Sequence, residues 1–86
     1  MSTFGLTVLI RHGCPFCDMA IDLLDKNNLP YELLILGEDF SREEFAKKVP
    51  GAKTFPQILV NQESIGGFEE LSDKIENLIH TFKQIN

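Results

Sequence analysis

Two thiols stand three positions apart in Cys14-Pro15-Phe16-Cys17, directly after the apolar run Leu6-Thr7-Val8-Leu9-Ile10. On a helix that spacing is close to one turn, which suits a disulfide that opens and closes reversibly. Exchange proceeds by attack of a thiolate on a sulfur, so one cysteine must ionise near neutral pH and remain accessible. Cys14 is the candidate. If Pro15 is the first helical residue, Cys14 takes the N-cap, where free backbone N–H groups and the helix dipole favour its thiolate. Its pKa is then expected to fall below the free value of about 8.5. Cys17 aligns instead with Ala20, Ile21 and Leu24, the apolar face, and is expected to be less solvated and to keep its proton longer. Cys14 is the expected nucleophile, and Cys17 the resolving thiol.

Arg11 places a cation three residues before Cys14. His12 adds another only when protonated, and an unperturbed histidine is mostly neutral at pH 7, so it reads first as a solvated loop residue. His80 falls off the apolar face of the last helix and is given no role. Zinc is the structural alternative for the cysteines. A closed zinc site needs four ligands, typically a second C-x-x-C or a histidine pair, and the chain has only two cysteines and two separated histidines. No metal is expected.

The elements that must hold these thiols come from a chain of 86 residues, 43% hydrophobic and 24% charged, which describes one small globular domain spanning residues 1–86. Bridging two cysteines this close would remove little unfolded-state entropy, so the pair makes more sense as chemistry than as reinforcement. The net charge of −5 and the scattered basic residues argue against a nucleic-acid partner. No signal-like segment and no run of roughly 18 apolar residues suggests secretion or a membrane span. A cytoplasmic protein is expected, and in a reducing compartment a close cysteine pair points to catalysis or metal.

The first strand is Leu6–Ile10, and a helix runs from the thiols to Lys26. Asn27-Asn28-Leu29-Pro30 punctuates the chain, and Tyr31–Leu36 reads as a second, largely buried strand, parallel to the first. Ser41 and Glu44 form a capping box that opens a short helix ending near Val49, before Pro50-Gly51. Gln57–Val60 and Ser64-Ile65 flank Asn61-Gln62-Glu63 as a hairpin. Leu71, Ile75, Leu78, Ile79 and Phe82 line one face of a final helix. The result is an α/β fold of order β-α-β-α-β-β-α, a four-stranded mixed sheet with three helices. Cys14 lies beyond the carboxyl end of the first strand, where sites gather in open α/β sheets.

Three separated motifs give the chain a resemblance over nearly its whole length. They are Arg11-His12-Gly13-Cys14-Pro15-Phe16-Cys17, then Thr54-Phe55-Pro56, then Gly66-Gly67-Phe68-Glu69-Glu70-Leu71. In this order they resemble the dithiol glutaredoxins of the thioredoxin-fold superfamily. The resemblance implies a cis Pro56 facing the thiols, with the backbone of Phe55 exposed to pair with a bound peptide as an added strand. It further implies that the turn at Gly66-Gly67 offers helix-terminal N–H groups to the γ-glutamyl carboxylate of glutathione. Arg11 occupies the place of a family lysine that pairs with the glycyl carboxylate, which arginine can do bidentately. Thr54, Phe55, Pro56, Phe16, Gly67, Phe68, Glu69 and Arg11 are thus the implied glutathione contacts. Read alone, the glycines would be a tight turn and Arg11 a solvated charge.

Two positions depart from the family pattern. Phe68 and Glu69 replace a small residue followed by a short capping side chain, and Glu69 caps poorly and repels the carboxylate the site is to hold. Phe16 replaces a common tyrosine and keeps the aromatic wall. The implied activity is glutathione-dependent reduction of protein disulfides and glutathione mixed disulfides by a monomer. The partners are glutathione and disulfide-containing or glutathionylated proteins, ribonucleotide reductase being a family-level expectation. Two alternatives stand beside it. One is a redoxin reduced by thioredoxin reductase that serves ribonucleotide reductase, disfavoured by the C-P-F-C sequence. The other is an iron–sulfur cluster carrier, whose relatives typically carry C-G-F-S.

Overall fold

The computed structural model describes residues 5–83. Strand β1 (Leu6–Ile10) is central, with β2 (Glu32–Ile35) parallel on one side and β3 (Gln57–Val60) antiparallel on the other, and β4 (Glu63–Gly66) closes the order β2-β1-β3-β4. Val8 sits opposite both Leu33 and Ile58. Helix α1 (Pro15–Lys26) follows β1, α2 (Arg42–Lys48) follows β2, and α3 (Phe68–Lys83) ends the chain. The element order and the mixed sheet are those expected from the sequence.

β1 is buried along its whole length because both faces of the sheet are covered. Leu6, Val8 and Ile10 point to one side, with Ile58 of β3, where Ala20 and Leu24 of α1 and Leu71 and Leu78 of α3 complete a core. Leu9 and Leu59 point to the other side and meet Phe40, Phe45 and Val49 around α2. The period-two alternation of strand side chains thus divides the apolar residues into two layers. Both cysteines belong to the first.

One expectation needs correction. The second strand is shorter than Tyr31–Leu36 and only half-buried, with Leu33 exposed, because β2 is the edge of the sheet. A run of apolar residues cannot by itself distinguish an edge strand from a central one. Two local features were legible. Ser41 and Glu44 form the reciprocal capping box at α2, with bonds of 3.1 and 2.8 Å, and Asn61 and Gln62, both at positive φ, turn the hairpin.

Candidate active site

The β1–α1 junction delivers the thiols. Cys14 has extended backbone angles and caps α1, with Pro15 in the first turn, and the backbone N–H of Cys17 donates to Cys14 Sγ at 3.2 Å. The Cys14 thiol in turn donates to the carbonyl of Phe55 at 3.6 Å. The cap predicted from Pro15 is therefore present. Its accessibility is not as expected: Cys14 is only 5% exposed. The sulfur is drawn inward between the helix N–H and the Phe55 carbonyl rather than projecting from the cap.

Cys17 is buried at 1% exposure beside Ala20 and Leu24. Burial is the main cause pushing its thiol up to about 12 from an ordinary 9.0. Hydrogen bonding to Cys14 adds to the rise, and the backbone N–H of Arg11 opposes it. Two chemically identical side chains, three residues apart, are thereby made unequal. Cys14 has an amide aimed at its sulfur, whereas Cys17 is held as a neutral thiol.

A hollow of about 250 Å³ opens beside them. Thr54, Phe55 and Pro56 form one wall, Phe16 a second, and Gly67, Phe68, Glu69 and Glu70 a third. The Phe55–Pro56 bond is cis, as the resemblance implies. Seven residues expected at a binding site are therefore brought together, all but Arg11. The thiols do not line the hollow themselves; Cys14 meets it at the Phe55 carbonyl. Phe16, 56% exposed, lies with its ring centroid 6.3 Å from that of Phe68, the planes tilted by 42°.

Arg11 stands apart because its guanidinium folds onto its own loop, donating to the carbonyls of His12 and Gly13 at 3.1 and 3.3 Å. Those carbonyls lie within two residues of it along the chain. His12 is exposed, as read, but it is also paired: Nε2 lies 2.6 Å from Glu38 Oε2. Among the described residues no three His, Cys, Asp or Glu side chains gather as a metal site.

Two contributions were missed. The ring of Phe55 stacks on Phe45 with centroids 4.6 Å apart and reaches Phe40 at 6.3 Å, so the loop before Pro56 is anchored in the α2 layer. Glu70 turns back so that Oε1 accepts the Gly67 N–H at 2.8 Å, which, with its own backbone N–H, holds the carboxyl below its usual range. The short cap lost at position 69 is thus replaced from position 70. A glutamate three residues after the N-cap is half of a capping box, a signal present in the sequence. Gly66 permits the arrangement: at φ 117° a side chain is strained, and a Cβ would come within 2.6 Å of Glu70 Cγ.

A dithiol on the first helix of this fold, opposite a cis-proline loop, places the chain among the thiol–disulfide oxidoreductases of thioredoxin-like architecture. More narrowly, it belongs to the glutaredoxin family, whose model matches residues 6–65. Glutaredoxin 1 of Rickettsia conorii is 41% identical over 64 residues, covering 71% of this chain and 62% of that protein. Glutaredoxin-1 of Ectromelia virus is 30% identical over 79 residues, covering 85% of this chain and 72% of that one. Among solved structures, glutaredoxin 1 from Francisella tularensis superposes with a TM-score of 0.74 at 29% identity over 87% of this chain and 95% of its own. A buckwheat glutaredoxin–glutathione complex gives 0.75 at 20% identity over 93% and 77%, a likeness of fold. The family match ends before Gly66, so the third wall of the hollow lies outside it.

No helix among the described residues is long and apolar enough to cross a membrane.

Proposed function

We propose that the protein is a glutathione-linked dithiol oxidoreductase in which Cys14 attacks and Cys17 resolves. The observation that carries this reading is the inequality of the two sulfurs, one receiving a helix N–H at 3.2 Å and the other buried and protonated. Cys14 thiolate attacks one sulfur of a substrate disulfide, forming a Cys14–substrate bond and releasing the other sulfur as a thiolate. Cys17 then loses its proton to that thiolate or to solvent and attacks Cys14 Sγ. The second half of the substrate leaves as a thiol, and the protein disulfide remains. Two electrons have passed from the dithiol to the substrate. Two glutathione thiols return them by the same exchange in reverse and leave as oxidised glutathione.

The cis-proline loop supports this assignment, since the backbone before Pro56 offers a strand-like edge to a peptide laid across the hollow. The hollow beside the thiols gives a bound thiol compound room against Phe16 and the cis-proline loop, and the buckwheat relative of the same fold is a glutathione complex. Substrates in this reading are disulfide-bearing or glutathionylated proteins, ribonucleotide reductase among those to be tried, in a reducing cytoplasmic setting.

The test is adduct mapping by mass spectrometry after exposure of the reduced protein to oxidised glutathione. Cys17→Ser is expected to accumulate one glutathione on Cys14, and Cys14→Ser none. An adduct confined to Cys17 would reverse the roles. Turnover measured in parallel with glutathione and its reductase, and with thioredoxin reductase, identifies the electron donor; exclusive use of the latter would overturn the glutathione link.

A further inference from the structure

The third wall of the hollow carries the negative charge of both Glu69 and Glu70, and among the described residues no lysine or arginine lines any wall. The cation nearest in sequence to the thiols, Arg11, is bonded to its own loop. Lys74 lies near enough to Glu70 to lower its carboxyl slightly, but it is outside the hollow. The remaining lining is uncharged and includes three aromatic residues, Phe16, Phe55 and Phe68, the rings of Phe16 and Phe68 lying tilted with centroids 6.3 Å apart.

Two carboxylates beside two ring faces make a poor seat for an anion and a good one for a cation. Glu70 acts twice in this sense. Its Oε1 takes up the Gly67 N–H, one of the donors an incoming carboxylate would use, and its charge repels that carboxylate. The α3 N-terminus is partly occupied by a ligand from its own chain.

We infer that Glu69 and Glu70 make this hollow a charge filter, selecting disulfides that carry an ammonium or guanidinium close to the scissile sulfur over those that carry a carboxylate there. The preferred class is therefore amine-bearing disulfides and cysteines flanked by lysine or arginine. This rests on the reading of Cys14 as nucleophile.

The experiment uses three disulfides of one skeleton that differ in end group: aminoethyl disulfide (cystamine), hydroxyethyl disulfide and carboxyethyl disulfide. Single-turnover rates of the reduced protein are measured by stopped flow, each divided by the rate of the same disulfide with a small neutral thiol. The wild type is expected to favour the amine over the carboxylate by up to about tenfold, the upper end of what two exposed charges produce, with the hydroxyl between them. High salt should shrink the ratio. E69Q and E70Q are each expected to reduce it, and the double variant to bring it near one. The amide oxygen of a glutamine introduced by E70Q can still accept the Gly67 N–H, so a loss of preference in that variant reports charge rather than capping. E69Q alters an exposed side chain and decides the matter should E70Q unfold. Equal normalised rates for all three disulfides, or a ratio unmoved in E69Q, would overturn the filter while leaving Cys14 as nucleophile intact. No reaction with any of the three would overturn that assignment and the filter with it.

Discussion

The two cysteines differ in their surroundings more than in their chemistry, and pH exposes the difference. Cys17 holds its proton to about 12, against an ordinary 9.0, chiefly because it is buried. As pH rises past the ordinary value, the unfolded chain loses this proton while the folded chain keeps it. Stability from Cys17 is therefore complete below pH 9 and is lost progressively as pH climbs towards 12. Tyr31 has the same sign, raised from 10.0 to about 12 by burial and by its hydrogen bond to Asp25. Urea denaturation of the reduced protein between about pH 8 and pH 11 should show stability falling with pH. The fall should be shallower in Cys17→Ala, and shallower again when Tyr31→Phe is added. Identical slopes would show that neither group is held as described. Of the residue-scale features, the helix-start position of Cys14 and the apolar environment of Cys17 were legible, because Pro15 and the helical spacing determine them locally. The inward draw of Cys14 was not, since it depends on the Phe55 carbonyl, 41 residues away. The curl of Arg11 was also hidden, because its nearest acceptors are backbone carbonyls that any sequence supplies.

At the scale of elements, the cis-proline loop and α2 are one unit. Phe55 stacks on Phe45, so truncating Phe45 should both destabilise the fold and loosen the wall of the active site. Phe45→Ala is expected to cost about 3 kcal/mol, as for other buried aromatic truncations, and to lower exchange rates at Cys14. Thermal melts together with stopped-flow rates check both; a lowered melting temperature with unchanged rates would separate loop from helix. The β4–α3 turn makes a second unit. Gly66→Ala should cost about 1–3 kcal/mol from its positive φ, beyond the displacement of Glu70 that the added methyl forces. Strand and helix order were readable from periodicity, since each element advertises its own repeat. The aromatic stack was not, because Phe40, Phe45 and Phe55 lie in three separate segments with no shared pattern.

Across the molecule, burial is graded from the centre of the sheet outwards. β1 is paired on both sides and covered on both faces, whereas β2 and β4 are edges with partial exposure. Native-state hydrogen exchange should find the slowest amides in β1 and β3 and faster ones in β2 and β4. Protection in β2 equal to that in β1 would contradict the edge assignment. The sequence misjudged β2 for the same reason: Leu33, Leu34 and Ile35 look like core, and only the strand order shows that one side has no neighbour.

Phe55 belongs to both apolar layers, and its carbonyl also accepts the hydrogen bond from Cys14. A substitution beneath α2 that touches neither thiol nor the hollow is therefore felt at Cys14 through that one residue. A designer retuning the exchange rate could begin beneath α2 rather than at the cysteines.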